Sequence, residues 1–187
     1  MAQNTDDAGR NPSSMPGPAF LEGEQITLRP PEKEDVEFLA RNMNDPRVRR
    51  PIASVGPLST DDEAEWVEGA NEEGVSLLIC VGDDPVGTIG LSDVNELWGR
   101  AEIGYWLAPD AWGEGYATEA TELLVAYGFD QRRFNKVVAH AFAFNAASRR
   151  VLEKVGFVEE GVHRKEAFID GEYVDIHSYG LLADEYE

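Results

Sequence analysis

The chain comprises 187 residues, with 36 acidic and 16 basic side chains, a formal net charge of −20 at pH 7 and 42% hydrophobic residues. This length suits one domain that buries a substantial core. The acidic excess disfavours a nucleic-acid partner, because phosphate backbones are bound by basic surface. No apolar stretch approaches the roughly 18 residues of a membrane-spanning helix and none resembles a signal peptide, so we expect a cytoplasmic protein with no membrane partner.

The charge imbalance also bears on the medium in which the protein works. Only four of the basic residues are lysines. In molar salt the Debye length falls to about 3 Å, which screens the repulsion between a very acidic surface and an anionic ligand. The combination predicts a halophilic protein, and an ordinary acidic protein is the alternative.

The first predicted elements lie near the start of the chain. Residues 1–20 are rich in Pro, Gly, Ser and Asn without apolar periodicity, which predicts a disordered tail. A single domain is expected over residues 21–187, opening with a strand at 26–29 and a helix at about 33–43.

A second helix is predicted to start near Thr60, which would be the N-cap, with Glu63 as its capping-box partner. Strands and helices then alternate, with neither an internal repeat nor a second domain. The remaining predicted elements are strands at about 75–81, 86–91, 100–107 and 136–142, a helix after residue 115, a helix after residue 145, and a closing hairpin that turns at 170–171.

A Gly-X-Gly loop follows the strand at 100–107 and opens directly into an amphipathic helix. Gly113 and Gly115 let the backbone approach a ligand without Cβ obstruction, and the amides of residues 113–118 lie at the positive end of the helix dipole. This pattern predicts a site for phosphate oxygens. A Walker loop is disfavoured because no lysine follows Gly115, and a dinucleotide loop is disfavoured because Thr118 stands where a third small residue is needed.

A second motif follows the strand at 136–142. Asn145 is a good helix N-cap, and Gly156 is placed to end the same helix in the left-handed conformation. Ser148 falls at the third helical position and begins an apolar stripe with Val151, Leu152 and Val155, so we expect its side chain to face inward.

Together the two motifs resemble the GCN5-related N-acetyltransferases (GNAT). Gly115-Tyr116-Ala117 fits the Gly-X-Ala end of that family's acyl-CoA loop, although Trp112 occupies its Gln/Arg position. The Asn-X-X-Ser helix ending in Lys-X-Gly-Phe resembles the branch that acetylates ribosomal-protein N-termini, the RimJ/RimL-like branch. The resemblance covers roughly residues 21–183.

The resemblance implies an α/β (α+β) GNAT fold. Its central sheet is mixed and mostly antiparallel, with about four flanking helices, and two middle strands splay apart to admit the pantetheine arm. It also implies acetyl-CoA as co-substrate. The loop residues expected to bind the cofactor are Gly113, Glu114, Gly115, Tyr116, Ala117 and Thr118.

Four further residues take roles from the resemblance. Asn145 would hydrogen-bond the pantetheine amides, although helix capping alone also explains it. A backbone amide near Leu107 would meet the developing oxyanion. Ser148 would hydrogen-bond or protonate the CoA sulfur, or else satisfy local backbone groups. Glu102 would be the base that serves the amine, or else a solvated carboxylate.

The acceptor stays open at this level. A protein N-terminus is preferred, a small amine such as an antibiotic or polyamine is the alternative, and a non-catalytic acyl-CoA-binding module is a third possibility. Where the ribosomal branch tends to carry a carboxylate, this chain has Ala167 with Glu166 beside it, which weakens that assignment. The three histidines form no metal-binding set, and we interpret each as structural or exposed. We expect a monomer or a homodimer.

Overall fold

The computed structural model describes residues 17–72 and 74–186, which form one eight-stranded sheet with helices on both faces. The strands run in the order β1-β2-β3-β4-β5-β6-β8-β7. Their bounds are β1 Leu21–Glu22, β2 Thr27–Arg29, β3 Val75–Val81, β4 Asp84–Asn95, β5 Arg100–Leu107, β6 Lys136–Phe142, β7 Val158–Ile169 and β8 Glu172–Leu182. The helices are α1 Val36–Met43, α2 Pro46–Arg49, α3 Thr60–Gly69, α4 Tyr116–Asp130 and α5 Ala146–Val155, with 3-10 turns at Lys33–Asp35, Arg50–Ile52 and Pro109–Ala111.

Alternation along the strands divides the core between the two faces of the sheet. Side chains such as Ile79 and Ile103 belong to the larger cluster, which also contains Leu124 of α4. The side chains that point the opposite way, such as Leu78, pack with Leu39 of α1 and with Val67 of α3. Successive residues of a strand face opposite sides of the sheet, so alternate residues of a buried strand belong to different clusters.

Strands β5 and β6 are the only parallel neighbours among the described strands, and their pairing is short. It covers three registers, the last joining Glu102 to Val138. Beyond that point β5 continues to Leu107 and β6 to Phe142 without pairing to each other. The middle of the sheet therefore opens into a wedge, as the resemblance implied.

Several predicted boundaries are confirmed. β5 and β6 have the predicted bounds, and the closing hairpin turns at Asp170 and Gly171. Asn145 caps α5 by accepting a hydrogen bond from Ser148 N at 3.2 Å, and Gly156 ends it with φ of 106°.

The predicted start of α3 was wrong by one residue. The N-cap is Ser59, whose hydroxyl accepts from Asp62 N at 3.2 Å, while the Asp62 carboxylate accepts from Ser59 N at 2.7 Å. Thr60 is instead the first helical residue. Ser59 with Asp62 and Thr60 with Glu63 could each form a capping box, and the structure uses the first of these pairs.

Most of the predicted tail, residues 1–16, lies outside the described residues. At its end, Phe20 packs edge to face on Tyr127, with ring centroids 5.2 Å apart, and its N–H donates to Leu28 O at 2.7 Å. Phe20, which the sequence analysis assigns to the tail, thus packs on the domain. Among the described residues, no helix has the length and apolar character needed to cross a membrane.

Candidate active site

The wedge between β5 and β6 contains a cavity of about 480 Å³. Strand residues from both sides line it, and α5 and the short helix α2 close it. The predicted residues Glu102, Leu107, Gly113, Asn145 and Ser148 all line this cavity. Residues separated by more than forty positions in the sequence are therefore brought to one place by the interrupted strand pairing.

The predicted phosphate loop joins the wedge at the start of α4. Gly113 and Gly115 have φ of 88° and 92°, in the left-handed region that favours glycine. Gly115 is the N-cap of α4, which runs for 15 residues from Tyr116. The positive end of a long helix dipole therefore points out of this loop.

Free amides are present in the same loop. Among the described residues, no acceptor takes up the N–H of Gly113, Glu114 or Gly115. The amides of Thr118 and Glu119, by contrast, donate to Gly115 O at 3.0 and 3.2 Å. The unpaired donors of the loop therefore precede Thr118.

Trp112, which replaces the family's Gln or Arg, anchors the loop to the end of β5. Its indole Nε1 donates to Leu107 O at 2.9 Å. The next amide, Ala108 N, donates to Val86 O of β4 at 2.8 Å. Backbone groups of successive strand residues point to opposite edges, so the Leu107 N–H points away from β4, toward the wedge.

Glu119 holds the β1–β2 connection beside the loop. Its two carboxylate oxygens accept from Gln25 N at 2.9 Å and Gln25 Nε2 at 3.2 Å. The Gln25 side-chain nitrogen lies 4.0 Å from where a Cβ on Gly115 would be. A carboxylate near the predicted phosphate loop is thus hydrogen-bonded to neutral donors.

Ser148 is half-buried, and its hydroxyl faces the phenol of Tyr105 from β5. The two oxygens are 3.0 Å apart, and Tyr105 Oη also donates to Ser148 O at 3.3 Å. Burial raises the pKa of Tyr105 to about 12, against the opposing effect of its bond to Ser148. The phenol is therefore neutral and available as a donor near neutral pH. Sequence reasoning missed Tyr105, because nothing local links β5 to the first turn of α5.

Glu102 faces the same cavity from the last paired register of β5. Its Oε2 lies 3.6 Å from Nε2 of His140 on β6, and His140 Nδ1 lies 3.0 Å from Ser178 Oγ. We interpreted His140 from the sequence as structural or exposed; it is exposed, and it also lines the cavity. Val138 and His140 share a strand face, but only the structure shows that Val138 is the register partner of Glu102.

The other titratable groups singled out from the sequence lie elsewhere. Glu166 is exposed and bonds His163 Nδ1 at 2.8 Å, and neither residue lines the cavity. His177 bonds Glu159 at 2.9 Å, and this bond holds the pKa of Glu159 below its usual range. Within residues 17–72 and 74–186, no group of three or more His, Cys, Asp or Glu side chains is arranged to hold a metal ion.

Comparison with known proteins gives the class. Residues 25–158 match the acetyltransferase (GNAT) domain family, and the chain belongs to that family. It is an N-acetyltransferase that uses acetyl-CoA as co-substrate, and the predicted family, fold, enzyme class and cofactor are confirmed.

Three known proteins illustrate the similarity. The chain is 32% identical over 173 residues to the "Putative ribosomal N-acetyltransferase YdaF" of Bacillus subtilis (strain 168), covering 88% of this chain and 94% of YdaF. It is 28% identical over 166 residues to the spermidine N(1)-acetyltransferase of Vibrio cholerae, covering 87% and 95% of the two chains. A crystal structure of spermidine N-acetyltransferase from Vibrio cholerae with CoA and spermine shares the fold, with a TM-score of 0.82 at 24% identity over 88% of this chain and 99% of that chain.

Proposed function

We propose that the enzyme transfers the acetyl group of acetyl-CoA to a protein N-terminal α-amine by direct attack in a ternary complex. One observation carries the proposal: Glu102, Ser148 and the Leu107 backbone face a single cavity that continues into a loop of unpaired amides. These are the groups that the transfer needs for the amine, the sulfur, the oxyanion and the diphosphate.

The cofactor would lie along the wedge. Its diphosphate would accept hydrogen bonds from the amides of residues 113–117, with the Thr118 hydroxyl beside them in the first turn of α4. The pantetheine arm would then occupy the gap where β5 and β6 no longer pair, beside Asn145. This path leads the thioester toward Ser148 and Leu107.

Acetyl transfer needs a neutral amine. Glu102 would accept the proton, directly or through water, as the amine nitrogen forms its bond to the acetyl carbon. The Leu107 N–H would donate to the oxygen that becomes negative. When the carbon–sulfur bond breaks, Ser148 would hydrogen-bond the departing thiolate, which takes up a proton to leave as CoA.

The preferred acceptor follows from how readily each kind of amine loses its proton. An α-amine titrates near 7.7–8.0 and a lysine near 10.4, so an N-terminus needs less help to lose its proton. The similarity to YdaF over most of both chains supports the same choice. A polyamine is the second candidate, favoured by the net charge of −20 and by the similarity to the spermidine enzyme.

Product analysis tests the proposal. The enzyme is incubated with acetyl-CoA and a panel of peptides, polyamines and aminoglycosides, while CoA release and acetylated products are followed by mass spectrometry. We expect acetylation of peptide α-amines. Acetylated spermidine without acetylated peptide would establish the second candidate, and tight CoA binding without any product would indicate a non-catalytic acyl-CoA-binding module.

The acid excess supports a further part of the proposal, a halophilic cytoplasm as the working medium. Molar salt would shorten the Debye length to about 3 Å and leave the local amides to decide CoA binding. We expect the affinity for CoA to rise when KCl is raised from 0.1 to 2 M. Full folding and activity at low salt, without gain on adding KCl, would contradict this part.

A further inference from the structure

A second cavity, of about 180 Å³, opens on the face of the sheet toward α3. Trp66 of α3 stands at its side, and β3, β4 and β5 supply the rest of its wall. Gly104 lines both this cavity and the one in the wedge, and a Cβ placed on Gly104 would meet no heavy atom within 4 Å. The two cavities therefore adjoin at Gly104, which places no side chain between them.

The pairing of β3, β4 and β5 determines which residues form the floor of the second cavity. Ser92 of β4 pairs with Glu102, so both lie on the same face. The next row on that face is Gly104, Gly90 and Ser76, which crosses from β5 to β3. Adjacent strands lie about 4.8 Å apart, so this row spans roughly 10 Å, the length of about three extended residues at about 3.3 Å each. The floor begins beside Glu102 and has almost no side-chain bulk.

Three hydroxyl groups border this row, on Ser76, Thr88 and Ser92. None of them has a hydrogen-bond partner in the part of the chain that the structure describes. Thr88 is only 8% exposed. Its Oγ1 is not a fully buried unpaired atom, so solvent in the cavity reaches it. Three hydroxyls without a protein partner on one cavity wall can donate to and accept from a polar ligand that displaces this solvent.

We infer that this second cavity binds the residues that follow the reacting α-amine of a peptide acceptor. The amine would lie at Glu102, next to Gly104 on the same strand face. The peptide groups that follow would lie along the Gly90–Ser76 row, where the three hydroxyls would hydrogen-bond their N–H and C=O groups. Trp66 would cover the chain before it leaves to solvent. This inference rests on the proposed function and adds to it a preference for a narrow peptide of several residues over a single amine.

Two acceptors with the same reacting amine test it: alaninamide, and the amide of tetra-alanine. In the double variant Ser76→Ala/Thr88→Val, which alters only the second cavity, we expect kcat/KM for the tetrapeptide to fall about ten-fold and kcat/KM for alaninamide to change less than two-fold. Gly104→Val should block the passage and penalise the tetrapeptide more than alaninamide. Gly161→Val is the matched control, because Gly161 also lies in a strand with open space around it but lines neither cavity.

The results for the two acceptors distinguish a failure of this inference from a failure of the proposed function. Equal losses for both acceptors in the double variant, with its unfolding midpoint unchanged, would overturn the inference while leaving the proposed function in place. Failure of the unaltered enzyme to acetylate either acceptor would overturn the proposed function and this inference with it.

Discussion

The phenol oxygen of Tyr105 lies 3.0 Å from Oγ of Ser148. With the pKa of Tyr105 raised by burial to about 12, the phenol keeps its proton near neutral pH. Either oxygen can be the donor in this pair, and the phenol has one proton to share between Ser148 Oγ and Ser148 O. When the phenol donates to Oγ, the serine proton is free to point at the CoA sulfur. We expect Tyr105 to position Ser148 and not itself to supply the proton.

Replacing Tyr105 by Phe should therefore slow turnover without weakening cofactor binding. We expect kcat to fall roughly ten-fold, as for loss of one buried hydrogen bond, while the Kd for acetyl-CoA stays within two-fold. Steady-state kinetics and calorimetry measure the two quantities. Ser148→Ala should lower kcat further, and Tyr105→Phe added to Ser148→Ala should cost little more. Additive losses in that double variant would rule out the positioning role.

The phosphate loop gives a prediction about binding alone. Gly115→Val places a β-branched residue at φ of 92°, and we expect CoA affinity to fall by at least ten-fold because the loop amides are displaced. Gly171→Val is the matched control, since Gly171 has φ of 89° in the distant β7–β8 turn. Both variants should lose stability to a similar extent in thermal unfolding. Equal CoA affinities for the two variants would mean that the loop does not bind the cofactor.

Glu102 is the proposed base and lines the cavity, whereas Glu166 does not. Glu102→Gln should lower kcat/KM for the amine by about 100-fold, because the carboxylate that accepts the proton is lost. Glu166→Gln, at the exposed site bonded to His163, should change it less than two-fold. The reverse order in amine kinetics would move the base to β7.

Glu63 gives a stability prediction with a definite sign. It is buried in α3, and burial, helped by the charge of Asp62, raises its pKa above 4.5. The unfolded chain then loses this proton at lower pH than the folded chain, so Glu63 disfavours the folded state increasingly as pH rises from about 4.5 through its raised pKa. Glu63→Gln should match the unaltered protein in unfolding midpoint near pH 4 and exceed it at pH 7.

The control for that series is Glu65→Gln, because Glu65 is exposed on the same helix. Its unfolding midpoint should follow that of the unaltered protein across the same pH range. A Glu63→Gln midpoint that lies below the unaltered protein at pH 7 would show that the buried carboxylate stabilises the fold.

The local parts of the site could be predicted from the sequence. The glycines of the loop, the Asn145 cap and the bounds of β5 and β6 each depend on a few neighbouring residues. Propensity and periodicity report such features directly. The capping of α3 was missed by one residue only because Ser59 and Thr60 are chemically interchangeable there.

The contacts across the wedge could not be predicted in this way. The Tyr105–Ser148 bond joins residues 43 positions apart, and the Glu102–His140 contact depends on the parallel register of β5 and β6. Periodicity places a side chain on a face of its own strand but does not say which strand lies beside it. The open floor at Gly104 likewise depends on three strands in register.

The most direct test of the account is a crystal structure of the protein with CoA bound. We predict the diphosphate on the amides of residues 113–117, the pantetheine between β5 and β6, and the sulfur within hydrogen-bond reach of Ser148 Oγ. A diphosphate bound elsewhere, or a pantetheine arm outside the wedge, would contradict it.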